Sequence, residues 1–75
     1  MKSSEKVFPK NTTIQLKGKE MKNIYFIISG TVREDFDKFY FMKGIGNMLN
    51  PYDFIYREES KAIIKTMTET KLMQI

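Results

Sequence analysis

The chain contains no cysteine and no histidine in its 75 residues. The first absence excludes disulfides, thiolate zinc sites and cysteine-ligated iron–sulfur clusters, and is neutral as to redox compartment. The second removes the commonest general base and the commonest metal ligand. The usual nucleophile–base pairs cannot be assembled from what is left. The expectation is therefore no enzymatic activity, no catalytic residue, no metal and no cofactor. No apolar run approaches the roughly 20 residues needed to cross a bilayer, and Met1 to Lys6 is too polar for a signal peptide. A soluble, cytoplasmic domain without a membrane partner is expected.

Thirteen basic residues stand against nine acidic ones, for a net charge of +4. That suffices for solubility. The lysines are spread along the chain and form no block, which fits a solvated basic surface better than a nucleic-acid footprint. A chain of this length makes one domain at most and buries only about 60–65% of its unfolded surface. Without disulfides or metals, added stability has to come from oligomerisation or from membership of a longer polypeptide. The second is the preferred expectation.

The residues that are present read as short strands and turns. Met1 to Lys6 reads as a flexible N-terminus, and the ordered region as residues 7–75. Thr12 to Leu16 alternates, with Ile14 and Leu16 on one face. Gly18 closes that strand. Ile24 to Ile28 is an apolar run too short for an amphipathic helix, which predicts a strand buried on both faces. Ser29-Gly30 then turns the chain into Thr31 to Glu34, its expected hairpin partner, with Gly18 and Gly30 placed where turns need a positive φ. Asp35 to Lys38 reads as a turn and Phe39 to Met42 as a strand. Gly44 and Gly46 open an irregular segment running through Asn50-Pro51 to Asp53. Lys61 to Thr68 predicts a strand with Ala62, Ile64 and Thr66 on one face, and Leu72 to Ile75 starts a last one. Strands at about ten-residue spacing indicate an all-β protein.

Three segments resemble the sensory β-roll of the cyclic-nucleotide-binding superfamily, in particular that of the catabolite-activator and fumarate-nitrate-reduction (Crp/Fnr) transcription regulators. Thr12 to Glu20 is similar to the first strand and its glycine turn. Asn23 to Val32 resembles the "YxIxxGxV" strand and turn. Ala62 to Ile75 resembles the closing hairpin. The resemblance implies an antiparallel double-stranded β-helix, or jelly roll of cupin-like type, whether complete or cut short, with Gly18, Gly30 and Gly44 as structural turn glycines.

Members of that family that take cyclic nucleotides place a Gly-Glu pair near the start of a short helix, and an Arg-Ser, Arg-Thr or Arg-Ala step before the next strand. The glutamate accepts from the ribose; the arginine and backbone N–H groups hold the phosphate. By family position the candidate ligand-binding residues here are Gly46, Asn47, Arg57, Ser60, Lys61 and Ala62. Asn47 replaces the glutamate and Ser60 the arginine. Lys61 is displaced by one residue, which in an extended segment turns it to the opposite face. Arg57 is placed to reach in from the preceding loop. Lysine does not reproduce an arginine–phosphate fork, so cyclic AMP is not expected to bind in the usual way.

Other groupings read as structural. Asp53, Glu58 and Glu59 look like solvated loop carboxylates, and Asp35 and Asp37 like turn residues. Gly44-Ile45-Gly46 lacks the third glycine of a phosphate-binding fingerprint. Phe36, Phe39, Tyr40 and Phe41 fit a strand core better than a base-stacking platform. Met42, Met48, Met67 and Met73 suit gap-filling.

The expected function is the effector or sensory domain of a Crp/Fnr-type regulator, responding to a small-molecule effector and dimeric in the intact protein. The resemblance implies that DNA binding belongs to a helix-turn-helix domain, and nothing after Met67 has the periodicity for one. Two alternatives are a module that still takes cyclic nucleotide through Arg57 or Lys61, and a ligand-free roll that docks onto a partner.

Overall fold

A computed structural model describes residues 4–75. Seven strands and one short helix follow in the order β1 (Ser4–Phe8), β2 (Thr13–Gln15), β3 (Tyr25–Ser29), β4 (Val32–Phe36), β5 (Phe39–Lys43), α1 (Pro51–Ile55), β6 (Ile63–Thr66) and β7 (Thr70–Gln74). They form two antiparallel sheets, one ordered β1-β7-β3 and the other β2-β6-β4-β5.

The chain changes sheet four times, and the last two corners touch. Ser29-Gly30-Thr31 leads from β3 to β4, and Met67-Thr68-Glu69 leads from β6 back to β7. Met67 N–H donates to the Thr31 carbonyl at 2.9 Å, and Thr31 N–H to the Thr68 hydroxyl at 2.9 Å. Gly30 has φ of 95°, and a Cβ built there would lie 2.5 Å from the Glu69 carbonyl oxygen. Both the left-handed backbone and the lack of space demand glycine. β3 and β4 are therefore not hairpin partners, contrary to the expectation from their sequence. β3 pairs with β7, and β4 with β5 and β6.

The core joins Met21, Ile27, Val32, Leu49, Ala62, Ile64 and Leu72, with Phe8, Ile14, Tyr25, Phe36 and Phe54 packed against it. The alternation expected for β6 is present: Ala62, Ile64 and Thr66 are buried while Ile63 and Lys65 are exposed. Buried Thr66 earns its place by hydrogen bonding. Its hydroxyl accepts from Thr12 N–H at 2.8 Å and donates to the Pro9 carbonyl at 2.6 Å.

Several expectations need correction. Ser4 to Lys6 are not loose, because they pair with Gln74 to Leu72; Met1 to Ser3 lie outside the described residues. β3 is not buried on both faces: Ile27 alone is fully buried. Its outer edge is covered instead by the segment after β5, with Gly46 N–H donating to the Ile27 carbonyl and Leu49 N–H to that of Tyr25, each at 3.0 Å. Leu16 lies outside β2 and is exposed. Phe39, Tyr40, Phe41 and Met42 are about half exposed, because β5 is an edge strand. Among the described residues Met21 is the fully buried methionine, while Met48, Met67 and Met73 are half-buried and Met42 is exposed. Positive φ at the third glycine corner falls on Gly46 and not on Gly44, whose carbonyl begins the turn by accepting from Asn47 N–H at 3.2 Å. The segment around Pro51 is helical, with proline in the first turn where no N–H is needed.

Candidate functional site

The candidate residues fall into three places. Gly46 and Asn47 border a cleft of about 500 Å³ between the β4–β5 hairpin and the start of α1, shared with Glu34, Phe41, Lys43 and Asn50. That size suits a small molecule. Ser60, Lys61 and Ala62 lead into β6. Arg57 lies apart, lining a second cleft of about 520 Å³ with Glu20, Met21, Lys22, Phe54 and Ile55 that none of the other candidates borders.

The expected glutamate position moves once the helix is located. The resemblance puts the Gly-Glu pair near the start of a short helix, and here that helix starts at Pro51. Asn50 and Pro51 therefore stand in that place, with Asn50 holding the left-handed φ of 34°. Neither brings a carboxylate, and proline has no N–H to offer.

Every backbone N–H of the cassette candidates has an internal acceptor, that of Arg57 being the Phe54 carbonyl at 3.2 Å. Gly46 donates to Ile27, Asn47 to Gly44 and Ser60 to the Lys19 carbonyl at 2.8 Å. Lys61 N–H donates to Asp53 Oδ2 at 3.0 Å, and Ala62 N–H to Ser60 Oγ at 3.2 Å. Ser60 and Ala62 are buried and Lys61 is exposed, the alternation that places Lys61 on the opposite face.

Five charged or polar residues outside the expected set, Glu34, Lys43, Asn50, Asp53 and Glu58, dominate the chemistry. Glu34 is 1% exposed and lies at the inner end of the cleft. Its Oε1 meets Lys43 Nζ at 2.8 Å, and its Oε2 accepts from Asn50 N–H at 2.6 Å. Lys43 Nζ also donates to the Met48 carbonyl at 2.9 Å. A buried ion pair with both partners hydrogen-bonded is tolerable where a lone charge would not be. Asp53, expected in solvent, is 5% exposed and accepts from three donors. Burial pushes its carboxyl pKa up, but the Lys61 N–H, the Lys61 ammonium and the Asn50 amide outweigh that, and the net direction is down. Glu58, and then Asp53, hold the Lys61 ammonium above its ordinary range. Glu58 Oε2 lies 2.6 Å from Lys61 Nζ. The motif that could have flagged Asp53 is Asn50-Pro51-x-Asp53, an N-cap, a first-turn proline and a first-turn acid.

Among the described residues no helix is long and apolar enough to cross a membrane, and no group of three acidic, histidine or cysteine side chains is placed to hold a metal ion.

No protein-family model matches the chain, and no curated protein matches its sequence. Solved structures do match its fold. Over 97% of the chain it superposes on the catabolite activator protein of Thermus thermophilus, with a TM-score of 0.86 and 18% identity, covering 37% of that protein. A cyclic nucleotide-binding domain from Methylobacillus flagellatus matches over 97% of the chain and 44% of its own length, with a TM-score of 0.88 and 14% identity. The regulatory subunit of a cAMP-independent protein kinase A from Trypanosoma brucei matches over 97% of the chain and 28% of its own length, with a TM-score of 0.90 and 18% identity. The chain thus spans less than half the length of each of these proteins.

Proposed function

From the premise that this chain has the β-roll fold of the cyclic-nucleotide-binding domains, we propose that it is the sensory roll of a Crp-type transcription regulator whose cassette does not take cyclic AMP in the usual way. In this proposal residues 7–75, joined by β1 from Ser4, are the domain, with the jelly-roll winding of a double-stranded β-helix. It works in the cytoplasm, without catalysis, and the intact protein is a dimer that contacts DNA through a separate helix-turn-helix domain. A shift between two arrangements of the dimer carries the signal.

The observation that carries the ligand reading is the internal use of the cassette N–H groups of Gly46, Asn47, Ser60, Lys61 and Ala62. Two further features support it. No arginine stands at Ser60, and no carboxylate at Asn47, Asn50 or Pro51. Each missing charged hydrogen bond costs about 1.5–3 kcal/mol. Together they move a micromolar site toward the millimolar range. Isothermal calorimetry with cyclic AMP and cyclic GMP tests this, and no saturable heat below about 1 mM is expected. A micromolar constant abolished by Lys61→Ala would instead support the nucleotide-binding module.

A second reading, a ligand-free roll that docks onto a partner, draws support from the half-exposed Phe39, Tyr40, Phe41 and Met42 on edge strand β5. A monomeric sedimentation profile at high concentration, with β5 amides exchanging freely, would count against it.

A further inference from the structure

Sheet edges invite pairing with another chain, and three of the four edges here are blunted. β1 carries Glu5 and Lys6, β2 has three residues and a shift of register, and β3 is covered by the bonds from Gly46 and Leu49. β5 has none of these devices. It ends its sheet, paired on one side with β4, and runs Phe39-Tyr40-Phe41-Met42 before its first charge, Lys43, which Glu34 holds at 2.8 Å. Those four apolar side chains are 55, 54, 51 and 49% exposed.

The backbone of β5 fixes how a partner strand would lie. Phe36 and Phe39 flank the two-residue turn and exchange their backbone bonds, and the pattern repeats at Glu34–Phe41 and Val32–Lys43. The N–H and C=O groups of Tyr40 and Met42 therefore point away from β4, along the outer edge. We propose that β5 pairs antiparallel with β5 of a second copy of this chain, about a two-fold axis at Phe41. The inference rests on the second reading above, in which β5 docks onto a partner, and it names that partner. In this register Tyr40 of one copy faces Met42 of the other, and each satisfies the other's outward N–H and C=O. Phe41 faces its own counterpart in a non-hydrogen-bonded pair, where side chains stand closest. The ring cluster of Phe36, Phe39 and Phe41, with centroids 4.9 to 5.9 Å apart, then continues across the axis.

Charge agrees with this occupant. Lys43 faces the second copy's Phe39, so no like charges meet. On the opposite face, where Arg33 lies over the Tyr40 ring at 3.9 Å, each row across the two copies reads Asp35, Tyr40, Met42, Arg33 and holds one charge of each sign. A strand complementary to itself makes a closed, isologous contact. Side chains of this size bury about 150–250 Å² each, so four half-exposed ones offer roughly 400 Å² a copy and about 800 Å² for the pair. That is the low end for a specific interface and suits a reversible dimer, with a Kd on the order of 10–100 µM.

Sedimentation velocity and amide exchange are followed from about 10 µM to about 1 mM. A reversible dimer is expected. Exchange at Tyr40 and Met42 should slow as concentration rises, while Phe39, Phe41 and Lys43, already bonded to β4, stay unchanged. Met42→Pro removes an outward N–H at an edge position that tolerates proline, and should weaken the dimer at least tenfold. Should that variant fail to fold, the unsubstituted chain decides: a mixture of isotope-labelled and unlabelled chain must show contact between Phe41 Hα and that of the second copy. A dimer lacking this contact, or one that a folded Met42→Pro leaves unweakened, overturns the proposal; where exchange at Tyr40 and Met42 has slowed, the docking reading outlives it. A chain that is monomeric throughout, with both amides exchanging freely, overturns the two together.

Discussion

Gly30 and Gly18 share a left-handed backbone, with φ of 95° and 81°, but have different surroundings. Nothing lies within 4 Å of a Cβ at Gly18, whereas at Gly30 the added atom meets backbone of the facing corner at 2.5 and 2.8 Å. Gly18→Ala should cost the left-handed penalty alone, about 1–2 kcal/mol. Gly30→Ala adds a backbone clash to that strain and should cost roughly 3 kcal/mol or more. Urea denaturation of the two variants separates conformational strain from lack of room, and equal midpoints would contradict the corner geometry. Asp53 sets a pH dependence of its own. Its folded pKa lies below the ordinary 3.8, so its contribution is fully present above that value and is lost as pH falls through the lower folded value. Asp53→Asn should therefore flatten the melting temperature profile below pH 3.8, leaving it unchanged in shape at neutral pH. A profile unaltered by the substitution would show that Asp53 is not held by its donors.

Among the elements, β6 was the most legible in sequence, because burial of one face writes itself as alternation in Ala62, Ile64 and Thr66. Strand partners were not legible. The short apolar run Ile24 to Ile28 and the segment Thr31 to Glu34 each read as extended. Whether Gly30 makes a hairpin or a sheet-crossing corner is decided by Glu69 and Thr70, about forty residues away in the chain. Helix α1 escaped notice because five residues are fewer than two turns, too few to display a 3.6-residue period. The candidate site was half legible for a similar reason. Ser60-Lys61-Ala62 lead into the alternating strand β6, but the burial of Asp53 depends on Lys61, eight residues on. β2 is short and leans on β6 through a side chain, since the Thr66 hydroxyl bonds both Thr12 N–H and the Pro9 carbonyl. Thr66→Val keeps the shape and strands the Thr12 N–H, while the Pro9 carbonyl keeps the Thr12 hydroxyl at 2.8 Å, so a loss of about 1–3 kcal/mol is expected. Faster hydrogen exchange at the Thr12 amide should accompany it. Normal exchange at Thr12 would mean that the backbone, and not the hydroxyl, fixes β2.

At the scale of the whole molecule, pairing is dominated by residues distant in the chain. Ser4 faces Gln74 and Thr13 faces Lys65, while β4–β5 is the one hairpin of adjacent strands closed by a two-residue turn, Asp37-Lys38. Closing such loops consumes chain entropy before the contacts form. Refolding from urea should therefore occur in the range of about milliseconds to seconds, slower than an α-helical chain of equal length. A microsecond phase carrying the full amplitude in stopped-flow or temperature-jump experiments would contradict this topology.

The position of β7 between β1 and β3 also bears on how the protein is made. Until Thr70 to Gln74 are free of the ribosome, the first and third strands have no common neighbour to join them, and until Ile63 to Thr66 are free β2 has no strand to pair with. The β4–β5 hairpin is the pairing open to the growing chain, and the apolar side chains of Tyr25 to Ile28 are the ones a chaperone would find.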